Sequence, residues 1–119
     1  MDEDKVMKSM ILKYEMDFFD ADFCHNRSNL ENRLSVDFME YGKSGRVYRR
    51  NDMIELLLDS PNRYIKIEDF ELTALHEDYF LVHYLSINID DHSKALRTSI
   101  WKSEEGLLKM FFHQGTPVR

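Results

Sequence analysis

The first part of the chain alternates apolar and charged residues at the spacing of a helix. Between residues 5 and 20, the apolar residues recur three and four positions apart, which places them on one stripe of a helix. They are Met7, Met10, Ile11, Tyr14 and Phe18, and the charged residues Lys8, Lys13, Glu15 and Asp17 fall between them. We therefore predict an amphipathic helix over residues 5–20.

Two shorter helices and two short strands are predicted before residue 61. Ser28 to Glu31 has the Ser-x-x-Glu form of a capping box, which satisfies free amide groups at a helix start. Asn51 or Asp52 can cap a further helix that runs to Leu58, and the following proline ends it. Strands are predicted at residues 36–41 and 46–48, with a turn at 42–45 between them.

The second half of the chain changes to long segments rich in β-branched and aromatic residues. These segments cover residues 64–75, 79–89, 95–102 and 107–114, and polar or glycine-containing turns separate them. Such a pattern is typical of successive hairpins. Helices followed mostly by strands predict one α+β domain over residues 1–119, with the helices on one face of an antiparallel sheet.

Composition narrows the class of protein. The chain has 119 residues and a formal net charge of -6, so we expect no nucleic-acid partner, because phosphate contacts need clustered basic residues. Cys24 is the only cysteine, which excludes an intramolecular disulfide and a multi-cysteine metal site. The histidines are scattered, and we expect neither a metal nor a cofactor.

We also expect a cytoplasmic protein without a membrane partner. The acidic N-terminus is unlike a signal peptide, and no apolar run is long enough to span a membrane.

Gly42-Lys43-Ser44 is similar to the end of a phosphate-binding loop. That loop needs a glycine five positions earlier and a helix afterwards. Asp37 stands at the earlier position, and the residues after Ser44 favour a strand. The segment is better explained as a hairpin turn, with glycines supplying positive φ and Lys43 in solvent.

Three stretches resemble a bacterial branch of the nuclear transport factor 2-like superfamily whose domain has no assigned function. They are DFMEYGKSGR at 37–46, RTSIW at 97–101 and FHQGTP at 112–117. The superfamily includes ketosteroid isomerase, scytalone dehydratase and SnoaL-like polyketide cyclases. The resemblance extends over about residues 5–117.

The resemblance implies a fold, a pocket and an assembly. The implied fold is a cone-shaped half-barrel, in which a curved antiparallel sheet packs on three N-terminal helices and leaves a pocket at its open end. Many members are homodimers that pair through the outer face of the sheet. Gly106-Leu107-Leu108 departs from the Gly-x-Trp that relatives carry before the last strand, so the shape of the cavity is not carried over.

Glu40 and His113 are the candidate catalytic residues. Val36, Phe38 and Glu40 share one strand face. Since the first two are apolar and expected in the core, Glu40 is expected to point toward the pocket, where it could act as a general base. The alternatives are that Glu40 lies in solvent or is neutralised by a basic partner.

His113 and Gln114 point to opposite faces, so one of them reaches the interior. A histidine there suits proton transfer, although a structural hydrogen bond or a dimer contact would also explain it.

Arg97 is the possible partner of Glu40, because guanidinium and carboxylate groups pair well. The alternative is that Arg97 binds an anionic ligand instead of Glu40. The other candidate ligand-binding residues are Tyr84, Ser99, Trp101 and Phe38. Tyr84 either packs in the core or donates to a developing oxyanion, as a tyrosine does in ketosteroid isomerase.

Three functions remain open from the sequence. The first is a small-molecule-binding domain with a pocket in the cone. The second is an isomerase, dehydratase or cyclase that uses Glu40 or His113 as base and Tyr84 or Arg97 to stabilise charge. The third is a dimeric interaction module, because residues 79–87 carry apolar side chains on both strand faces.

Overall fold

The computed structural model describes residues 3–119 as a mixed α+β fold, as the sequence predicts. The described residues form α1 (Glu3–Asp17), α2 (Ala21–Cys24), α3 (Arg27–Arg33), β1 (Leu34–Tyr41), β2 (Val47–Arg49), α4 (Arg50–Leu58), β3 (Ile65–His76), β4 (Tyr79–Asn88), β5 (Lys94–Glu104) and β6 (Leu107–Pro117). The three predicted helices correspond to α1, α3 and α4. The single-turn α2 was not predicted.

The six strands form one curved, open sheet in the order β2-β1-β6-β5-β4-β3. All neighbouring strands are antiparallel except β1 and β6, which are parallel. The sheet is thus antiparallel, as predicted, except at this pair. A parallel pair needs a long connection between its strands, and here α4 and four strands separate β1 from β6. This pairing brings the first strand of the chain beside the last.

The helix starts differ from the predicted capping residues. Asn26 caps α3, and its side-chain oxygen accepts a hydrogen bond from the Asn29 amide at 3.2 Å. The predicted cap at Ser28 is wrong, because Ser28 already lies inside this helix. At α4, the Asp52 carboxylate accepts from the Arg49 amide at 3.0 Å.

The segment 42–45 forms the predicted hairpin turn. Tyr41 pairs with Val47 across β1 and β2, and the Gly42 amide donates to the Arg46 carbonyl at 2.8 Å. Gly45 has a φ of 91°, in the left-handed region that glycine adopts without strain.

Val36 does not face the core as predicted. Its side chain is 73% exposed, whereas Phe38 is 2% exposed. The register between β1 and β6 shifts between Leu34 and Met39, and such an irregularity changes which face a side chain takes. The shift lies before Glu40, so Phe38 and Glu40 keep the inner face.

The core lies between the helices and the inner face of the sheet. Ile11 of α1, Leu30 of α3 and Ile54 of α4 pack with Val82 and Trp101 of the sheet, and all are buried. None of the helices in residues 3–119 has the length and apolar character needed to cross a bilayer.

Candidate functional site

Strand register places two rows of side chains across the inner face of the sheet. In one row, Tyr84 of β4 lies opposite Arg97 of β5, which lies opposite Gly115 of β6. A side chain at Gly115 would meet Arg97 Nη1, since an added Cβ would lie 3.5 Å from it. This is an ordinary van der Waals distance, so the Arg97 guanidinium lies beside β6 at Gly115.

The second row contains both candidate catalytic residues. Ser99 of β5 lies opposite His113 of β6, and His113 is paired with Glu40 of β1. His113 Nδ1 lies 2.7 Å from Glu40 Oε1. Both side chains are mostly buried, with exposures of 8% for His113 and 19% for Glu40.

The predicted Glu40–Arg97 ion pair is therefore replaced by a Glu40–His113 hydrogen bond. Alternation along a strand predicts the face of each residue, and Glu40 and Arg97 do share a face. It does not predict the register between strands, which puts Glu40 beside His113 and one row away from Arg97. Either His113 or Gln114 was expected to reach the interior. His113 is the buried residue, and Gln114 is exposed.

A carboxylate from α1 forms the floor of the site. Glu15 is 2% exposed. Its Oε1 accepts from the Tyr84 hydroxyl at 2.6 Å, and its Oε2 accepts from Trp101 Nε1 at 2.8 Å. A buried carboxylate needs such donors, because it has lost its hydration. Burial, followed by the nearby Glu15 charge, holds the pKa of Tyr84 well above its ordinary value.

The inner face and the helices line a partly open cavity of about 100 Å³. Much of its wall is apolar and includes Phe38 of β1, Leu57 of α4 and Met110 of β6. Its polar lining residues are Glu15, Glu40, Arg63, Tyr84, Arg97 and His113. An apolar wall with a few convergent polar groups is typical of small-molecule sites.

Five of the seven predicted site residues line this cavity, namely Phe38, Glu40, Tyr84, Arg97 and His113. Ser99 and Trp101 do not. Trp101 is fully buried in the core against Glu15, and Ser99 is fully buried with no hydrogen-bond partner for its hydroxyl among the described residues. Within residues 3–119, no three His, Cys, Asp or Glu side chains cluster as a metal site requires.

Two polar lining residues, Glu15 and Arg63, were not predicted. The sequence pattern places Glu15 among the charged residues of α1, yet it follows the buried Ile11 by four positions, a spacing that puts both on one helix face. Arg63 lies in the irregular segment between α4 and β3, where no periodicity indicates direction. Its amide donates to the Phe19 carbonyl at 2.9 Å and its Nη2 to the Phe18 carbonyl at 3.1 Å.

The pairing of Glu40 can be tested by double-mutant cycles on stability. We expect Glu40→Ala and His113→Ala to be coupled by about 0.5–3 kcal/mol in the free energy of unfolding, as contacting residues are. The matched cycle of Glu40→Ala with Arg97→Ala should give a smaller coupling, because the two groups form no ion pair. Urea unfolding at neutral pH measures both, and a stronger coupling to Arg97 would contradict the observed pairing.

Comparison with known proteins finds similarity at the level of structure alone. No family model matches the chain, and no curated protein matches it. An NTF2-like protein from Cytophaga hutchinsonii superposes with a TM-score of 0.80 at 17% identity, covering 99% of this chain and 100% of that one.

Two further solved structures are similar over most of their length. The association domain of CaMKII from C. elegans has a TM-score of 0.75 at 13% identity, with 98% of this chain and 99% of that one covered. An NTF2-like protein of unknown function in nutrient uptake from Rhodospirillum rubrum has a TM-score of 0.74 at 18% identity, with 92% and 98% covered. The chain therefore has the nuclear transport factor 2-like fold that its sequence resembles.

Proposed function

We propose that this domain binds a small organic molecule in the cavity between the sheet and the helices. The observation that carries the proposal is the lining itself, in which an apolar wall surrounds the Glu40–His113 pair, Tyr84 and Arg97. Apolar side chains supply affinity by removing ligand surface from water, and the polar groups orient the ligand. The proposed ligand contacts are Phe38, Tyr84, Arg97 and His113.

An acid–base enzyme is the second candidate, and the 2.7 Å contact between His113 Nδ1 and Glu40 Oε1 favours it. A carboxylate that holds one ring nitrogen orients the other, Nε2, for proton transfer to a ligand. Arg97 could then stabilise a developing negative charge. Tyr84 is less suited to that role, because its hydroxyl proton is already donated to Glu15.

The outer face of the sheet supports a further proposal, that the protein is a homodimer. Leu81, Ile100, Phe112 and Met39 pair in one row across β4, β5, β6 and β1. Each alternates with residues of the inner face, so this apolar row faces away from the cavity. An apolar sheet face is stabilised when a second copy covers it. One of the structural neighbours is itself named an association domain.

Ligand binding is tested by titrating a panel of small carboxylic acids, amides and alcohols, with binding followed by amide chemical shifts in NMR spectra. We expect saturable shifts in residues around the cavity. Leu57→Trp should fill the cavity and weaken binding at least tenfold, at a cost of about 1–3 kcal/mol in stability from overpacking. Leu75→Trp is the matched control, because Leu75 is 54% exposed on β3.

The result contradicts the binding proposal if no compound binds, or if Leu57→Trp and Leu75→Trp bind equally well. The same spectra separate binding from catalysis. A ligand that is converted over time by the wild type but not by His113→Asn would indicate an enzyme, and a ligand that stays unchanged would indicate a binding domain.

The homodimer is tested by sedimentation velocity at tens of micromolar. We expect a species of twice the 14.3 kDa chain mass. Ile100→Glu should dissociate it, because a charge in the middle of the apolar row would be desolvated. Val6→Glu adds the same charge on α1 and should leave the dimer intact. A wild-type monomer would contradict the proposal.

A further inference from the structure

Two arginines meet at one end of the cavity. Arg97 reaches it from β5, and Arg63 reaches it from the segment between α4 and β3. Both guanidinium groups lie over the ring of Phe19, with centroid distances of 4.8 Å for Arg63 and 5.5 Å for Arg97. The side chains of two distant chain segments thus bring two positive charges to the same aromatic ring.

Neither arginine forms an ion pair at contact distance with a carboxylate in the part of the chain that the structure describes, although the charge of Glu40 acts on Arg63. Arg97 Nε donates to Ser86 Oγ at 2.8 Å, and Arg63 Nη2 donates to the Phe18 carbonyl at 3.1 Å. Both acceptors are neutral. Arg63 Nε is buried and has no hydrogen-bond partner among the described residues, and an unsatisfied buried donor is costly.

The two carboxylates of the cavity are engaged elsewhere. Glu15 accepts from Tyr84 and Trp101, and Glu40 contacts His113. Burial, followed by the charge of Arg97, lowers the pKa of Arg63. The charge of Arg97 therefore disfavours the charged form of Arg63, and an anion beside the two guanidinium groups would offset this repulsion.

The same two arginines also line a second, smaller cavity of about 40 Å³. Its lining residues include Lys43 and Lys94, and none of its described lining residues is acidic. The Asp91 carboxylate interacts electrostatically with Lys43 but does not line this cavity. A cluster of basic side chains raises the local concentration of anions.

We infer that Arg63 and Arg97 bind the carboxylate group of a small organic acid, whose apolar part lies in the cavity near Phe38, Leu57 and Met110. The inference rests on the proposed ligand binding and names the chemical class of the ligand. Guanidinium groups bind carboxylates through paired N–H donors, and Arg63 and Arg97 both line the cavity. Since a cavity of about 150 Å³ holds benzene, the smaller volume of about 100 Å³ suits a short-chain acid such as butanoate better than a single-ring acid.

The experiment compares acids with neutral molecules of the same shape. Benzoate and butanoate are titrated at pH 7 by calorimetry beside benzamide and butanamide, using the full chain. At least one acid is expected to bind tenfold or more tightly than its amide, and added sodium chloride should reduce this preference, since salt screens charge.

The variants Arg63→Gln and Arg97→Gln identify the groups responsible. Each should reduce the preference for the acid to threefold or less while leaving affinity for the amide unchanged. Arg97→Lys keeps the positive charge but lacks the paired N–H donors of the guanidinium group. It should therefore retain part of the preference for the acid over the amide. Arg46→Gln is the matched control, because it removes one positive charge from the exposed β1–β2 turn and should change nothing.

Each other outcome overturns the inference in a different way. If amides bind as tightly as acids and Leu57→Trp abolishes both, the cavity binds ligands but the carboxylate class is wrong. If acids are preferred and neither arginine variant changes the preference, the assigned residues are wrong. If neither acids nor amides bind, the proposed ligand binding fails together with this inference.

Discussion

The burial of the Glu15 carboxylate is the constraint on which the inner face of the sheet depends. Removing a carboxylate from water is costly unless donors replace the lost hydration, and Tyr84 and Trp101 supply one donor to each oxygen. These donors come from neighbouring strands, β4 and β5, while Glu15 comes from α1. One polar cluster therefore fixes the height and orientation of α1 over the sheet, and with it the floor of the cavity.

This arrangement determines which charges remain available to a ligand. Glu15 is satisfied within the core and Glu40 by His113, so the acidic groups of the cavity are already paired. Among the described residues, the side chains of the two arginines donate hydrogen bonds to neutral acceptors only. A site whose carboxylates are hydrogen-bonded and whose two arginines form no ion pair favours an anionic ligand group. Its apolar wall favours a ligand that also has an apolar part. The fold supplies the scaffold, and these side chains define the proposed chemistry.

Sequence reasoning predicted the strands, their turns and the inner-face residues well, because these follow from local alternation and glycine placement. It failed where the outcome depends on pairing between distant segments. The Glu40–His113 contact joins residues 73 positions apart and follows from the parallel pairing of β1 with β6. The sequence predicts that Val36 faces the core, whereas it is exposed. The residue type at this position gives no sign of the register shift between β1 and β6. Glu15 and Arg63 were missed because burial of a charged group depends on partners elsewhere in the chain.

The most direct test of this account is the stability of Tyr84→Phe, which removes one hydroxyl and leaves Glu15 Oε1 without its donor. We expect a loss of about 1–3 kcal/mol in the free energy of unfolding, the cost of an unsatisfied buried acceptor. Tyr64→Phe removes the same hydroxyl from a residue that is 59% exposed and should change stability by less than about 0.5 kcal/mol. Equal effects of the two substitutions in urea unfolding would contradict the account.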